Sequence, residues 1–597
     1  MTRRDEHQRS GPNRGAGNGT GPRKGRGWQA TWFLALVITA GGGLDGGLAA
    51  QVPLTPVGVR DSLDRIRDLA GPLWQAGDPA GLALLDSAGV FLAEEPVVAL
   101  VRGSPDLQTR ILNYSFEVAC ARAIRADTTG ALSAMRGMYE AGVPSDLAER
   151  LSQLCPPLYA FHEQAEYRDV LALWRSEGLR WSAASLATPY RDTLPAAERI
   201  AGLSLLWSNV KHVLPGFHTA PGLDLDSLYL RYLPTVSAPQ STLDYFNHLR
   251  RFVAQLGDAH SNVYAPDTLA ARVYARPPIM TARIGGEVVV TEVGAQELVD
   301  AGIAPGDVIT TIDGRAVDEY AAERVLPLTS SSTPQDLDIR AYGYQLLAGD
   351  EDRSVTLTIQ DPRGRRRTLE LSRSGYTPLP RPAANADTIL SGNVGYLRLD
   401  DFASQGAAAY VEEAMQRLSG TDGLIIDVRR NGGGSSGPGY RLLTMLVDTA
   451  FQSNPSWIRV FDPLLRTRRA LEPIPVHLPR DVLRPHPRLR YDKPVVVLAG
   501  GMTFSAAEDF VAAFSGLSRG VIIGQPTGGS TGQPYVFTLP GGLTARIRTK
   551  HDRLADGREF IGVGILPDIE VERTRDDIAQ GRDPALARAL EHVARRR

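Results

Sequence analysis

The sequence predicts a multidomain α+β protein with helical N-terminal regions, a β-rich module in the middle and an α/β core toward the C-terminus. Three observations support this. The length of 597 residues corresponds to several domains. Apolar residues recur at helical spacing through much of residues 58–256, short β-type runs lie between turns over 277–373, and strand and helix patterns alternate over 386–573.

The composition narrows the function classes. The 43% of hydrophobic residues suffices for packed cores and excludes wholesale disorder. Basic and acidic residues nearly balance, at 65 and 67, so the totals indicate no nucleic-acid partner. Only four of the basic residues are lysines, namely Lys24, Lys211, Lys493 and Lys550. This scarcity limits any mechanism that needs a lysine.

Residues 1–50 are predicted to be a signal peptide. A basic stretch ending at Arg26 precedes the short apolar run 32–40, and small residues ending at Ala50 follow. The apolar run is too short for a comfortable membrane span, although an uncleaved anchor is the alternative. The predicted location is therefore periplasmic or extracellular, with no stable membrane span if the signal is cleaved.

Two helical regions follow. Residues 51–185 are predicted as a helical domain of unknown role, and its Cys120 and Cys155 form either one disulfide or two buried thiols. Residues 186–276 form a helical segment whose last amphipathic helix ends near Leu256 and Gly257. Asp258-Ala-His260-Ser261 comes directly after it; a histidine there is typically a surface or capping residue.

A glycine loop follows the buried strand predicted over 423–428. Its Gly432, Gly434 and Gly437 satisfy the spacing G-x-G-x-x-G, so dinucleotide binding is an alternative. The acidic residue expected on a following strand is not evident, and a phosphate-binding P-loop is excluded because Gly-Lys-Ser/Thr is missing. The glycines do supply unobstructed backbone N–H groups, which can bind an anion that exists only in a transition state.

A strand, a glycine turn and a helix start are predicted around Ser505. Ser505 and Glu508 form a capping-box pattern, which is one sufficient reason for a serine there. The same position also places a hydroxyl beside the free N–H groups of a helix N-terminus, where an oxyanion is stabilised. Both interpretations fit the sequence.

The motifs together carry a family resemblance over residues 190–590. Residues 301–317 resemble the PDZ domains of bacterial proteases, which bind peptides by strand addition; a merely structural β-module is the alternative. The ordered motifs resemble those of the serine peptidases related to carboxyl-terminal processing protease, tricorn protease and interphotoreceptor retinoid-binding protein. The motifs, in chain order, are Asp258-Ala-His260-Ser, the PDZ-like insert, Asp427-Val-Arg-Arg-Asn-Gly-Gly-Gly434, Thr503-Phe-Ser505-Ala-Ala-Glu508, Gly524-Gln-Pro-Thr527 and Gly562-Val-Gly-Ile-Leu-Pro-Asp568.

The resemblance implies a site and a fold. Ser505 would be the nucleophile, and the oxyanion donors would be the N–H of Ala506 and that of Gly433 or Gly434. The α/β core would be of the ββα, crotonase-like type. In the processing-protease branch the base is a lysine, but this chain has Ser530 at that position. Lys550 is the serious substitute.

The tricorn-like branch instead uses a histidine before the PDZ-like domain, and His260 matches its location. The orienting group would be a glutamate shortly before Gly-x-Gly-Ile-x-Pro-Asp. This chain has Ile561 there, and Glu559 lies two residues earlier, on the same face if the backbone is extended. Ser261 is a further candidate for this role.

The sequence thus predicts an exported serine peptidase that acts on polypeptides, including C-terminal or unfolded segments, without a metal or organic cofactor. The alternative is a non-catalytic protein that binds a peptide or a hydrophobic ligand on the same fold. Oligomeric state is unknown. The predicted domains are the signal peptide 1–50, the helical domain 51–185, the helical segment 186–276, the PDZ-like domain 277–375, the catalytic core 386–573 and a C-terminal helix 574–597.

Overall fold

The computed structural model describes residues 56–92, 94–102, 105–141, 147–181, 183–373, 385–404, 406–461 and 474–596, with the single residues 463 and 467. The predicted signal peptide lies outside these residues. In the part of the chain that is described, no helix combines the length and apolarity needed to cross a membrane. The fold is multidomain α+β, as predicted.

The described residues fall into two compact units, one before and one after residue 103. This division lies inside the region predicted as one helical domain over 51–185. The first unit holds α1 (Pro56–Gln75), α2 (Pro79–Leu92) and α3 (Glu95–Arg102). Its helices pack on one another, with α1 against α2 as the main contact.

The second unit starts with five more helices. They are α4 (Pro105–Ile124), α5 (Thr128–Ala141), α6 (Leu147–Leu154), α7 (Pro156–Tyr159) and α8 (Ala165–Trp181). A disulfide joins Cys120 on α4 to Cys155, the N-cap of α7, with Cα atoms 6.1 Å apart. The structure therefore selects the disulfide from the two alternatives that the sequence left open.

The next four helices form what we call the helical wall, and His260 lies in the loop that follows the third of them. They are α9 (Ala196–Val213), α10 (Leu225–Ser237), α11 (Thr242–Ala254) and α12 (Asp267–Tyr274), with β1 (Asn262–Tyr264) between the last two. The N-cap Ser241 of α11 accepts from the Asp244 N–H at 3.1 Å. The predicted apolar face of α11 is buried, including Phe246, Leu249 and Phe252.

The β-rich module is an antiparallel sheet in the order β2-β3-β4-β6-β7, with β5 paired to β4. Its strands are β2 (Ile279–Ile284), β3 (Glu287–Val293), β4 (Val308–Ile312), β5 (Arg315–Ala316), β6 (Val355–Gln360) and β7 (Arg366–Leu371). Its helices are α13 (Gln296–Asp300), α14 (Val317–Arg324), α15 (Pro334–Asp338) and a π-helical stretch over Ile339–Gln345. The PDZ-like character of this module stays a prediction from its motif.

The core is a six-stranded sheet in the order β20-β16-β15-β10-β9-β8. Neighbouring strands are parallel except β8 and β9. The strands are β8 (Asn385–Leu390), β9 (Val394–Leu399), β10 (Gly423–Asp427), β15 (Val495–Ala499), β16 (Val521–Gly524) and β20 (Ile569–Glu570). The predicted parallel sheet is thus present.

Helices cover both faces of this sheet, as the fully buried β10 and β15 require. On one face pack α16 (Ala407–Leu418), α17 (Gly437–Leu446) and α18 (Ala506–Leu517). On the other packs α20 (Pro584–Arg596), through Ala585, Ala589 and Val593. The predicted single C-terminal helix over 574–597 is two helices, α19 (Arg575–Ala579) and α20, because Gly581 breaks the run at a φ of 64°.

Short antiparallel strands extend the core toward the helical wall. They are β11 (Phe451–Gln452), β12 (Ser456–Val460), β13 (Ile474–His477), β14 (Val482–Leu483), β17 (Tyr535–Leu539), β18 (Leu543–Ile547) and β19 (Lys550–Asp552). β18 pairs with both β17 and β1. The pairing of β1 with β18 attaches the segment that follows His260 to the core, because Asn262 lies opposite Arg546.

Candidate functional site

Ser505 lies at the sharp turn between β15 and α18. Its backbone has φ 57° and ψ −123°, a conformation that non-glycine residues rarely adopt. Thr503 fixes the turn, since its hydroxyl donates to the Val428 carbonyl at 2.9 Å and accepts from the Gly500 N–H at 3.1 Å. Such strain at a strand-to-helix turn is typical of a serine held out as a nucleophile.

His260 reaches Ser505 from the loop between α11 and β1. Its Nε2 lies 3.1 Å from the Ser505 Oγ, and its Nδ1 lies 2.7 Å from the Ser530 Oγ. The imidazole stacks on the Phe504 ring with centroids 4.5 Å apart and planes 10° apart. His260 is buried whereas Ser505 is partly exposed, so the ring is fixed and the hydroxyl stays accessible.

The surroundings of His260 favour its neutral form. Burial, with the nearby positive charges of Arg546 and Arg340 among others, holds the pKa of His260 well below its usual value. A neutral imidazole can accept a proton from a serine hydroxyl. If Nε2 accepts from Ser505, the ring proton sits on Nδ1 and is donated to the Ser530 hydroxyl.

Asp258 stabilises the loop that carries His260 through hydrogen bonds to its carboxylate. One carboxylate oxygen accepts the His260 N–H at 3.0 Å and the Ser261 hydroxyl at 3.1 Å. The other accepts from the Arg548 guanidinium, and Asp258 and Arg548 are both buried. Ser261, an orienting candidate from the sequence, therefore bonds Asp258 in this structure.

The β-rich module also stabilises this loop, through hydrogen bonds to its backbone. The Ser330 hydroxyl donates to the Asp258 carbonyl at 2.7 Å, and the Ser332 hydroxyl accepts the Ala259 N–H at 2.9 Å. The module thus contributes directly to the position of His260.

Glu508 anchors the loop that carries Ser530. Its carboxylate accepts from the Thr527 hydroxyl at 2.5 Å and from the N–H groups of Gly529 at 2.7 Å, Ser530 at 2.9 Å and Ser505 at 3.3 Å. Burial raises the pKa of Glu508 to about 8, against these donors, each of which favours the anion. The Ser530 carbonyl also accepts the Ser505 N–H at 3.1 Å. Ser530 therefore contacts Ser505 through its carbonyl and His260 through its hydroxyl.

Gly433 lies against Ser505. A Cβ atom on Gly433 would come within 2.7 Å of the Ser505 Cβ and 3.0 Å of the Ala506 nitrogen, and the φ of Gly433 is 99°. Only glycine fits both constraints. The Gly433 N–H donates to the Asn431 side-chain oxygen at 2.9 Å.

The N–H groups of Gly434 and Ala506, unlike that of Gly433, have no hydrogen-bond acceptor among the described residues. The Gly433 carbonyl accepts from the Phe402 N–H at 3.3 Å, so the Gly434 N–H of the same trans peptide points the opposite way. Of the two glycines that the sequence offered as donors, Gly434 has the unoccupied N–H.

Glu559 is not brought to His260. Its carboxylate bonds the His551 Nε2 at 2.5 Å and the Arg553 guanidinium. A β-bridge between Arg553 and Glu559 fixes this position. The Nδ1 of His260 meets a hydroxyl instead, so the sequence prediction that Glu559 orients His260 does not match the geometry.

Lys550 is held in an ion pair. Its Nζ lies 2.7 Å from the Asp552 carboxylate. Burial would lower the pKa of Lys550, but the charges of Asp552 and Asp509 outweigh it and the pKa is raised. A lysine that keeps its proton is not a base.

A cavity of about 650 Å³ adjoins the Ser505 turn. Its wall combines the glycine loop, the Ser505 turn, the helical wall and the β-rich module, represented by Gly433, Phe504, Tyr264 and Gln345. Within the described ranges, no group of His, Cys, Asp and Glu is arranged to hold a metal ion. The cavity can therefore receive a ligand beside the Ser505 turn.

The family assignment rests on the core. Residues 393–571 match the model of peptidase family S41. The chain carries a serine-peptidase domain of family S41. This confirms the family that the ordered motifs predicted.

Two proteins similar to this chain illustrate the breadth of the likeness. The chain is 26% identical over 386 residues to the chloroplastic C-terminal processing peptidase of Tetradesmus obliquus, an alignment that covers 60% of this chain and 74% of that protein. It is 25% identical over 389 residues to putative tricorn protease homolog 2 of Streptomyces coelicolor, covering 62% of this chain and 30% of that one. The chain thus spans less than a third of the tricorn homologue.

Among solved structures, that of mature CPAF complexed with lactacystin has a TM-score of 0.52 and 18% identity to this chain, and the match covers 67% of this chain and 97% of that one. At this identity the likeness shows the fold.

Several residues of the candidate site were not found from sequence. The partnership of Ser530 with His260 had no signal, because only the missing lysine drew attention to that position. Glu508 was recognised as a capping residue, but its bonds to the 527–530 loop depend on chain folding. Arg548 lies 290 residues from Asp258, and no local pattern links the two.

Proposed function

We propose that this S41 peptidase is exported and cleaves polypeptides through an acyl-enzyme on Ser505, with His260 as general base. The observation that carries the proposal is the single line of contacts from the Ser505 Oγ through the imidazole of His260 to the Ser530 Oγ. Each of its three members is held by further bonds, so the arrangement does not depend on one flexible side chain.

In the proposed reaction His260 Nε2 takes the proton of the Ser505 hydroxyl as Oγ bonds the substrate carbonyl carbon. The C–N bond then breaks, and the leaving amine receives that proton from Nε2. A water molecule attacks the acyl-enzyme and gives its proton to Nε2, which returns it to Ser505. Throughout, Nδ1 keeps its proton and donates a hydrogen bond to the Ser530 Oγ, which favours the tautomer with Nε2 free to act as base.

The oxyanion would be stabilised by backbone N–H groups. Ala506 supplies one, because its N–H has no acceptor in the described part of the chain and lies beside Ser505. The second donor is Gly433 or Gly434. Gly434 needs no exchange of partners, whereas Gly433 would first leave Asn431.

Export is supported by the predicted signal peptide and by the disulfide, which is typical of oxidising compartments. The N-terminus of the secreted protein, read by mass spectrometry, tests this part. We expect it near residue 51, and a protein that retains Met1 in the soluble cell fraction would contradict export.

The alternative is a binding protein that uses the cavity without chemistry. Labelling with a fluorophosphonate probe separates the two. We expect wild type to label, and Ser505→Ala and His260→Ala to lose labelling and about 10⁴-fold or more of peptide hydrolysis. His248→Ala, a change on α11 away from the site, is the matched histidine control and should label normally.

Circular dichroism and thermal melts verify that each variant is folded. If folded wild type never labels, even with peptides present, the binding protein becomes the better conclusion. If His260→Ala labels normally, His260 is not the base and the proposed mechanism is wrong.

A further inference from the structure

The cavity beside Ser505 contains positive charge that the protein does not neutralise. Arg250, on α11, lines the cavity. Its guanidinium donates to the neutral side-chain oxygen of Gln345 at 2.6 Å, lies 5.5 Å from the Phe246 ring centroid and makes no ion pair with a described residue. Burial lowers the pKa of Arg250, which means that its charge is poorly solvated.

Arg546 is a second cation of the same kind. It lies on β18 opposite Asn262, and its guanidinium lies 5.4 Å from the ring centroid of Tyr264. Asn262 and Tyr264 both line the cavity. The buried Arg546 Nε has no hydrogen-bond partner in the described residues, and the side chain has no ion pair there.

The carboxylates of the cavity wall are already occupied. Asp336 pairs with Arg340 at 2.7 Å, and Asp400 lies 3.4 Å from Arg398. Asp401 accepts from the backbone N–H groups of residues 403 and 404 at 2.8 and 3.0 Å. None of them is bonded to Arg250 or Arg546. Arg250 on the cavity wall, and Arg546 behind the lining residues Asn262 and Tyr264, therefore make no ion pair with a described carboxylate.

A buried cation without a partner is costly, and a carboxylate is the group that best matches a guanidinium. We propose that Arg250 and Arg546 form a carboxylate-binding subsite that selects peptide substrates with an acidic group near the scissile bond. The inference rests on the proposed function only for the polypeptide nature of the ligand. The carboxylate is an Asp or Glu side chain or a free C-terminus, which share this chemistry.

The subsite has a consequence for the base. Arg546 is the first of the charges that lower the pKa of His260. A carboxylate bound to Arg546 offsets that charge and makes the imidazolium formed during reaction less unfavourable. An acidic substrate is therefore expected to gain in turnover as well as in affinity.

Binding is measured on full-length Ser505→Ala protein, so that no turnover interferes. The probes are fluorescein-labelled decapeptides of one neutral sequence. One series has Glu moved through every position with an amidated C-terminus, a matched series has Gln, and a third peptide has a free C-terminal carboxylate. Fluorescence anisotropy at low salt gives Kd for each.

We expect at least one Glu position, or the free carboxylate, to bind about tenfold or more tightly than its neutral match. The arm that shows the gain identifies the source of the carboxylate. Arg250→Gln with Arg546→Gln should abolish the gain, and the double lysine variant should keep part of it. Arg251→Gln, a neighbouring charge on α11 that does not line the cavity, is the matched control and should keep all of it.

Equal affinity for all acidic and neutral peptides, absence of any binding, or a gain that persists without both arginines overturns the inference. Failure of the proposed function looks different, because a protein that lacks hydrolysis and probe labelling but prefers acidic peptides has the subsite without the chemistry. Melting temperatures of all variants exclude unfolding as the cause of a loss.

Discussion

Two histidines at the core of this molecule show how differently one residue type is used. His260 contacts two serine hydroxyls and the Phe504 ring. His551 contacts the Glu559 carboxylate, the Arg548 guanidinium and the ring of His218, whose centroid is 4.4 Å away. Burial lowers the pKa of both, that of His551 to about 4. Only His260 faces a strained, accessible serine.

The comparison teaches that a carboxylate on a histidine does not by itself mark the reactive one. His551 has the carboxylate but no nucleophile, and it belongs to the charge network that ends on Asp258. That network holds the backbone from which His260 projects. One cluster therefore fits the proposed proton transfer, and the other supports the backbone that carries it.

The largest effect is expected from breaking the supporting cluster. Arg548→Met leaves the Asp258 carboxylate buried without its cation, and should lower the free energy of unfolding by about 3–5 kcal/mol. Chemical denaturation measures it. Arg558→Met is the matched control, because the Arg558–Asp556 pair is 74% and 53% exposed whereas Arg548 and Asp258 are each 3% exposed. The control should lose at most about 1 kcal/mol; equal losses would show that the buried pair has no special role.

The next effect concerns the reactive cluster. Ser530→Ala removes the Nδ1 acceptor of His260 and should cost about 1–3 kcal/mol, or roughly 5- to 150-fold in kcat, with KM nearly unchanged. Ser530→Thr keeps the hydroxyl and should recover most of the rate. Because the hydroxyl acceptor favours the imidazolium, its loss lowers the pKa of His260 further. The acid limb of kcat/KM, expected below pH 6.5 in wild type, should therefore move to still lower pH. An unchanged kcat, or a loss of rate with no shift of the limb, would contradict a positioning role.

The smallest effect is expected at Glu559. Glu559→Gln keeps an acceptor for His551 and is 41% exposed, so kcat should change by less than about threefold and stability by at most about 1 kcal/mol. A glutamate that oriented the base would instead cost about 10⁴-fold, the scale of the corresponding aspartate-to-asparagine change in a Ser-His-Asp triad. Steady-state kinetics with a fluorogenic peptide distinguishes these outcomes.

Much of the fold follows from local pattern. The strand predicted over 423–428 is β10 at Gly423–Asp427, and the alternation predicted over 386–573 is present in β9, α16 and β10, because apolar patterning and glycine breaks are strong there. The short strands β11 to β14 and β17 to β19 were not predicted. They are stabilised by pairing with distant segments, such as β1 with β18, and their own residues carry little signal.

The site was partly predictable for a related reason. Ser505, His260 and the glycine loop belong to compact motifs, and the structure brings them together. Glu559 was placed by counting residues along an assumed extended strand, whereas the chain around it forms a turn bridged to Arg553. Ser530 and Arg548 act through contacts between segments remote in sequence, which spacing along the chain does not encode.

Because 245 residues separate His260 from Ser505, their contact forms only when the segment that carries the histidine has folded against the core. Residues 393–571, the part that matches the family model, contain the serine and its turn but not the histidine. A nascent chain that ends before Ser505 cannot form this contact. For the proposed reaction, completion of the fold would thus perform the task that removal of an inhibitory pro-segment performs in a zymogen.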